Sequence, residues 1–296
     1  MEHNSFIEFK KERDLGAIIN DTFKFIRENW KAYFGAIIKI AGPTILGGAI
    51  LMVLSLSYFT GVIGDMQGLA GSDDPNSVFG LMGSVFGWMG LLFLIIIVVY
   101  VVVSLTSLYY IKSYINTNGN VDIVDVRNNT FKNIWKFIGL GILIIIMVFF
   151  GAIMCYVPGI YLWVVLSLAT SIMVFENKNI GDTISHCFTL IKGEWWNTFG
   201  VVLLVGLLVG MLGYVFSIPA LIYQIIKMGT MIGENDPTDT FNLLRDPVYV
   251  ALNVLSYVGR FVLSSITLIA SVFIYYDLNE QKNLTGTIEK IDSLGQ

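Results

Sequence analysis

Thirteen consecutive residues, from Leu91 to Val103, are aliphatic or aromatic and carry no charge. Such a run is typical of a helix that is buried in protein or faces lipid. It does not stand alone, because hydrophobic residues make up 55% of the 296-residue chain and charged residues only 14%. A soluble domain of this length needs more charge to cover its surface. The sequence therefore predicts an all-α integral membrane helical bundle.

Six stretches are long and apolar enough to cross a bilayer as transmembrane helices. The expected spans cover residues 33–59, 85–111, 137–156, 160–175, 199–226 and a last segment that ends at 276. Pro158 and Gly159 predict a tight turn between the third and fourth spans, because proline cannot continue a helix and glycine tolerates a reversal. Residues 1–276 are expected to form one six-span domain, followed by a polar cytoplasmic tail at 277–296.

Three segments that precede spans have apolar residues at helical spacing and polar residues on the opposite face. They begin near Leu15, Ile123 and Ile180. An amphipathic helix of this type lies in the interface of a bilayer. The sequence therefore predicts about three interfacial helices on the cytoplasmic side. Their expected aromatic anchors are Trp30, Trp135, Trp195 and Trp196.

One amphipathic segment followed by two spans is an order that recurs along the chain. The three units would cover about 12–111, 121–176 and 180–276, and two-span units keep one direction in the membrane, so the repeats would be parallel. The alternative is that any helix entering a bilayer favours a tryptophan at the interface. In the third segment, helical spacing puts Trp195 on the apolar stripe and Trp196 about 100° around the helix.

Lysine and arginine are distributed unequally between the two sides of the expected spans. The side of the N-terminus carries 14 of the 18 basic residues, the opposite loops carry two, and two lie within spans. Basic residues that flank spans favour the cytoplasmic side. Both termini are therefore expected to be cytoplasmic. The first 30 residues contain charges throughout, so no cleaved signal peptide is expected.

Four short motifs resemble one family of membrane domains. They are Arg13–Gly16, Pro158–Leu162, Glu176–Trp196 with its Gly-Glu-Trp-Trp sequence, and Tyr275–Leu278. Together they resemble the membrane domain of some bacterial glycerophosphoryl diester phosphodiesterases, a domain that also occurs in stand-alone membrane proteins. The resemblance implies a multi-pass protein of the bacterial cytoplasmic (inner) membrane. In the fused proteins catalysis lies in a separate soluble barrel, so the resemblance implies no hydrolase activity here.

Two basic residues inside the expected spans are candidates for ligand binding. Arg260 is near the midplane if the last span starts at Tyr249, and a central arginine costs about 2.5–3.5 kcal/mol and needs a partner or a water-filled cavity. If that span starts near Ser256, Arg260 lies one turn inside the outer face and extends to the interface. Lys39 lies about one turn inside the first span and is expected to reach cytoplasmic phosphates. In the fifth span, Gly206 and neighbouring glycines are expected to allow close helix packing.

The chain lacks the sequence patterns of a catalytic or metal site. The cysteines and histidines are few and scattered, so no catalytic residue, metal site, cofactor or disulfide is expected. They are His3, Cys155, His186 and Cys187. No Walker loop, zinc-protease motif or dinucleotide fingerprint is present. The acidic run 234–239 lacks the spacing of a calcium-binding loop and is expected to be solvated.

Three functional hypotheses remain open on the sequence. The preferred one is a non-enzymatic membrane module that contacts membrane lipids or partner membrane proteins. The alternative is a transporter or lipid-handling protein with a cavity near Arg260, and a membrane-embedded enzyme is the third. The net charge of −4 and the absence of a dense basic cluster argue against nucleic acid as a partner. The sequence indicates no oligomeric state.

Overall fold

A computed structural model describes residues 6–69, 75–231, 243 and 246–294 of the chain. Every regular element within these ranges is a helix, which confirms the predicted all-α class. In chain order the helices are α1 (Leu15–Leu69), α2 (Pro75–Asn116), α3 (Ile123–Met154), α4 (Tyr156–Leu166), α5 (Ala169–Glu176), α6 (Ile180–Ile191), α7 (Trp195–Val215), α8 (Ile218–Met231), α9 (Pro247–Asn283) and α10 (Thr285–Leu294).

Six helical segments in the described ranges are long and apolar enough to cross a bilayer. They are Leu15–Ser55, Asn76–Asn116, Ile123–Met154, Tyr156–Glu176, Trp195–Val215 and Pro247–Asn283. The fourth of them consists of α4 and α5 together. The chain is therefore a helical multi-pass membrane protein, with the six spans that the sequence predicted.

The amphipathic segments differ in how they join the spans. α1 and α3 run without interruption from their amphipathic starts into apolar spans, because nothing in these starts forces the backbone out of the helix. Only α6 is a separate helix. It ends at Ile191, and Gly193 follows with φ +95°, which glycine adopts without steric cost. About three interfacial helices were expected; α6 is the one of these segments that forms a separate helix, and the stripe expected over 180–199 is broken where α7 begins.

All three amphipathic segments start with the same type of cap. The side chain of Asp14 accepts a hydrogen bond from the backbone N–H of Ala17, at 2.6 Å. Asp122 caps α3 in the same way, and Asn179 caps α6. A carboxylate or amide oxygen at this position satisfies N–H groups that have no partner within the helix. The residues four positions after the caps are all buried: Ile18, Val126 and Thr183.

The reversal between α3 and α4 lies earlier than predicted. Cys155 has an extended backbone conformation between the two helices, and Pro158 stands in the first turn of α4, where its missing N–H costs nothing. Gly159 is helical and serves a different purpose. A Cβ atom at Gly159 would lie 2.8 Å from the Cα atom of Ala152, so only glycine lets the two helices approach this closely. Both Cys155 and Cys187 are free thiols.

The fifth span ends sooner than the sequence suggested. A continuous helix over 199–226 was expected, but α7 ends at Val215 and α8 begins at Ile218. Pro219 explains the break, because its ring would clash with the carbonyl group four residues earlier, that of Val215. The backbone N–H of Ser217 instead donates to the carbonyl oxygen of Tyr214 at 2.8 Å, which forms a turn.

Residue contacts divide the chain into two compact units, where the sequence suggested one domain. Unit 1 consists of Met1–Ala41, Val101–Gly210 and Ser264–Gln296. Unit 2 consists of Gly42–Tyr100 and Met211–Leu263. Both are built from segments that are distant in sequence, because long helices pass from one unit into the other.

An aromatic cluster holds both ends of the chain together in unit 1. The ring of Phe9, which precedes α1, stacks on the ring of Phe273 in α9, with centroids 4.3 Å apart. Phe25 and Tyr114 contact Phe9 edge-on. The residues after 276, predicted to be a polar tail, continue α9 to Asn283, and several of them are buried. The two ends of the chain therefore lie at the same end of unit 1, called the termini end below.

Candidate functional site

Arg260 lies in α9, exposed, and faces the break between α7 and α8 within unit 2. Its Nη2 atom donates a hydrogen bond of 2.5 Å to the Oγ atom of Ser217. Its guanidinium carbon lies 5.0 Å from the centre of the Tyr214 ring, in a cation–π contact. The interrupted helix thus supplies a hydroxyl group and an aromatic face to one arginine.

Small residues bring α9 close enough for these contacts. A Cβ atom at Gly259 would lie 2.5 Å from the ring of Phe216, which stands in the break. A Cβ atom at Gly213 would lie 3.4 Å from the Cγ atom of Arg260. The hydroxyl group of Ser256 donates a hydrogen bond to the carbonyl oxygen of Phe216 at 2.7 Å. Phe216 lies in the break, where its carbonyl group has no partner within a helix, and Ser256 supplies that partner.

The length of α7 matches the thickness of a bilayer. α7 has 21 residues, which is roughly 31 Å at about 1.5 Å per residue and close to the ~30 Å of a hydrocarbon core. Arg260 contacts Tyr214 and Ser217, which stand just before and just after the end of this helix.

The guanidinium group of Arg260 retains donors beyond the one that Ser217 uses. An arginine has five N–H donors in a planar fork. Among the described residues, no carboxylate lies within ion-pair distance of this group, and Ser217 is its one hydrogen-bond partner. The arginine is thus oriented from one side and open on the other.

A second polar cluster in unit 2 lies at the start of α9. Asp246 accepts hydrogen bonds from the N–H of Val248 at 2.9 Å and from the hydroxyl group of Tyr223 at 2.7 Å. Lys227 lies 3.3 Å from the same carboxylate. The hydrogen bond from Tyr223 lowers the pKa of Asp246, and the bond to Asp246 raises the pKa of both Tyr223 and Lys227. The cluster joins α8 to the capped start of α9.

In unit 1, Arg13 is buried and serves the packing of the chain ends. Its backbone N–H donates to Asp277 at 2.7 Å, and its Nε atom donates to Asp21 at 2.9 Å. The guanidinium group also bonds the carbonyl oxygens of Glu8 and Phe9. Burial lowers the pKa of Arg13, and the bond to Asp21 acts in the opposite direction. Every part of this side chain has a structural partner.

Glu176, at the end of α5, collects three polar groups. Its carboxylate lies 2.6 Å from the Nζ atom of Lys178 and 3.2 Å from the Nε2 atom of His186, and it accepts from the hydroxyl group of Tyr275 at 3.0 Å. Along α6 His186 follows Asp182 by about one turn, and the sequence gives no sign of this tertiary pairing with Glu176. Burial raises the pKa of the neighbouring thiol of Cys187 to about 12, so it is neutral at physiological pH and not a nucleophile.

Two lysines at the termini end bond to carbonyl groups at helix ends. The Nζ atom of Lys112 donates to the carbonyl oxygen of Val174 at 2.6 Å. The Nζ atom of Lys282 donates to the carbonyl oxygens of Thr189 and Lys192 at 2.7 and 3.0 Å. Carbonyl groups in the last turn of a helix have no partner within it, and a cation there stabilises the helix. Both lysines therefore connect helices.

The other residues that the sequence singled out are on the surface. Lys39 is exposed and has no polar partner among the described residues. The exposed fractions of Trp30, Trp135 and Trp196 are 52%, 82% and 77%. Trp195 is half-buried and stacks on Phe199 with centroids 5.2 Å apart. This confirms that Trp195 is the more buried of the adjacent tryptophans, although it packs from the first turn of α7 and not from the expected stripe.

Groups suited to a metal are not clustered in the described ranges. No three histidine, cysteine, aspartate or glutamate side chains lie close enough there to hold an ion. The acidic run at 234–239 lies outside the described residues. Gly206 and Gly210 do not bring helices together as expected. A Cβ atom at either position would have nothing within 4 Å.

Comparison of the chain with family models, with curated proteins and with solved structures found no match. The class of the protein therefore follows from its own fold. It is an all-α multi-pass membrane protein with six apolar spans, in which the polar groups of unit 1 connect helix ends and one arginine of unit 2 is oriented at the end of a span.

Proposed function

We propose that this chain is a non-enzymatic membrane module that contacts lipid headgroups and partner membrane proteins. The observation that carries the proposal is the use of the polar groups in unit 1. Arg13, Glu176 and Lys282 each bond partners on other helices or segments, and these contacts join the helix ends. An enzyme needs a nucleophile next to a base with an orienting partner. Among the described residues, the groups around Glu176 do not include one.

The large apolar surface of the spans supports a role among lipids and other helices. In the most apolar 18-residue stretch of Ile123–Met154, only 17% is buried within the chain, and in that of Trp195–Val215 only 28%. The remaining surface requires acyl chains or the apolar faces of other membrane proteins. The resemblance to stand-alone membrane domains of the glycerophosphoryl diester phosphodiesterase family agrees with a role as an accessory module.

For orientation, we propose cytoplasmic termini in the cytoplasmic membrane of a bacterium. The distribution of basic residues supports it, since 14 of 18 lie on the side of the N-terminus. The contact between Phe9 and Phe273 supports a common side for both ends. A reporter fused after Gln296 should be active on the cytoplasmic side, and one inserted at 70–74 on the opposite side. Activity of both reporters on one side would contradict the topology.

The alternative function, lipid handling or transport, has one observation in its favour. Arg260 has donors that no described residue accepts, and it is exposed at the end of a span. A module that only scaffolds has no need for an oriented cation in that place. The first acidic residue of α9 after Arg260 is Asp277, near the other end of the helix, so we retain lipid contact as the proposal and transport as its alternative.

The test is a purification in mild detergent with mass spectrometry of the proteins and lipids that remain bound. We expect defined membrane proteins and anionic lipids to be retained, at stoichiometries that exceed those of an unrelated six-span protein purified in parallel. Retention equal to that control for both proteins and lipids would reject the module. Uptake of a soluble ion or metabolite by vesicles containing the purified chain would instead favour the transporter.

A further inference from the structure

We propose that Arg260, Ser217 and Tyr214 form a binding site for a phosphate group at the membrane boundary next to the end of α7. This inference rests on the proposed function in one respect, namely that the chain contacts lipid headgroups. It goes beyond that function in assigning the ligand chemistry and the residues that bind it.

The first argument is the charge of Arg260. An arginine within an apolar span needs an anionic or polar partner, because an unpaired charge in hydrocarbon is costly. The described residues provide a single neutral hydroxyl group, that of Ser217. The nearest abundant anions at this depth are the phosphates of lipid headgroups, to which a long basic side chain extends. The anionic partner that the described residues do not provide is therefore supplied by the membrane.

The second argument is orientation. Ser217, whose exposed fraction is 8%, holds one edge of the guanidinium group from inside the protein. The ring of Tyr214, with an exposed fraction of 65%, fixes the plane of the group by the cation–π contact. The free edge of the fork then faces the surroundings. A planar fork held in this way suits two parallel hydrogen bonds to two phosphate oxygens.

The third argument is the surface around the site. Met211, Val215 and Leu255 are exposed, with fractions of 65%, 56% and 54%. A lipid whose phosphate contacts Arg260 would lay its acyl chains along such apolar residues. The start of α8 directly after Ser217 adds a partial positive charge from N–H groups without helical partners, which also favours an anion.

The test compares wild-type protein with Arg260→Gln, Arg260→Lys and the control Arg127→Gln, which removes an exposed arginine of α3. Each protein is incubated in detergent micelles with equal amounts of phosphatidylglycerol and phosphatidylcholine, repurified, and analysed by native mass spectrometry. We expect phosphatidylglycerol to be retained by wild-type protein and by Arg127→Gln. Retention should fall about tenfold in Arg260→Gln, as for the loss of a charge-assisted contact, and less in Arg260→Lys.

The source of the phosphate is distinguished in a second arm with inorganic phosphate. If a free phosphate is the ligand, inorganic phosphate should raise the melting temperature of wild-type protein but not that of Arg260→Gln, while phosphatidylglycerol retention is the same in both. Dependence on Arg260 in either arm supports a phosphate site. Equal retention and equal thermal response in wild type and Arg260→Gln would overturn it.

A further measurement covers the case in which Arg260→Gln does not fold. Tyr214→Trp keeps an aromatic face against the arginine, and its fluorescence, after subtraction of the wild-type signal, reports lipid at the site. Brominated phosphatidylglycerol should quench this signal more than brominated phosphatidylcholine at the same mole fraction. Equal quenching would overturn the inference. Retention of partner proteins in the pull-down does not depend on this site, so the two proposals can fail separately.

Discussion

The Oγ atom of Ser217 accepts a hydrogen bond from Nη2 of Arg260 at 2.5 Å, across the two-residue break that separates α7 from α8. The break exists because Pro219 cannot continue the helix of α7. A helix interruption at the end of a span thus supplies the polar group to which a charged side chain of another span is attached.

Gly259 is predicted to be intolerant of any side chain. Gly259→Ala would place a Cβ atom 2.5 Å from the ring of Phe216, so either that ring or α9 has to move. We expect a loss of about 1–3 kcal/mol, as for other overpacked sites, and a lower melting temperature in detergent. Gly206→Ala is the matched control, because nothing lies within 4 Å of that position. Equal melting temperatures for the two variants would contradict the packing.

Arg13 is predicted to contribute strongly to stability, and its neighbour Lys11 very little. Both contact Asp21, but the side chain of Arg13 is fully buried and that of Lys11 is 48% exposed. Arg13→Gln takes the guanidinium group away from the part-buried carboxylate of Asp21 and from the carbonyl oxygens of Glu8 and Phe9, and should cost about 3–5 kcal/mol. Lys11→Gln should cost less than about 1 kcal/mol. Chemical denaturation in detergent measures both, and similar midpoints would show that the N-terminal segment is not docked as described.

The polar cluster around Asp246 predicts a dependence of stability on pH. Its hydrogen bond with Tyr223 lowers the pKa of Asp246 in the folded protein below its ordinary value of 3.8. The stabilisation is therefore complete above that ordinary value and is lost as the pH falls through the lower, folded value. Melting temperatures of wild type and Tyr223→Phe should differ at pH 7 and converge below about pH 3. A difference that stays constant or grows with acid would contradict the assignment.

The two adjacent tryptophans should differ in their effect on stability. Trp195 stacks on Phe199 and Tyr161, whereas Trp196 is 77% exposed. Truncation of a fully buried tryptophan costs roughly 3–5 kcal/mol, and the half-buried Trp195 should show part of that loss. Trp195→Ala is thus expected to lower the melting temperature clearly more than Trp196→Ala. Thermal-shift curves of the two variants decide it, and an equal or larger shift for Trp196→Ala would show that Trp195 contributes no packing.

Local helix rules explain two helix boundaries that hydropathy alone does not predict. Pro219 lies inside a long apolar stretch, but the clash of its ring with the carbonyl group four residues earlier predicts a helix end at Val215. At Pro158 a turn was expected, but proline is favoured in the first turn of a helix, and here it marks the start of α4. Both boundaries therefore follow from the position of a proline.

Hydropathy by itself determined the helical class and the number of spans. These features depend on the apolar character of each segment and on the solvent, and a sequence carries them directly. The pairing of His186 with Glu176 and the docking of Arg13 onto Asp277 were decided only by the tertiary structure. Such contacts depend on which faces of distant helices pack together, and periodicity along one helix does not contain that information. The same reason applies to Arg260, whose partners were set by a break in another helix.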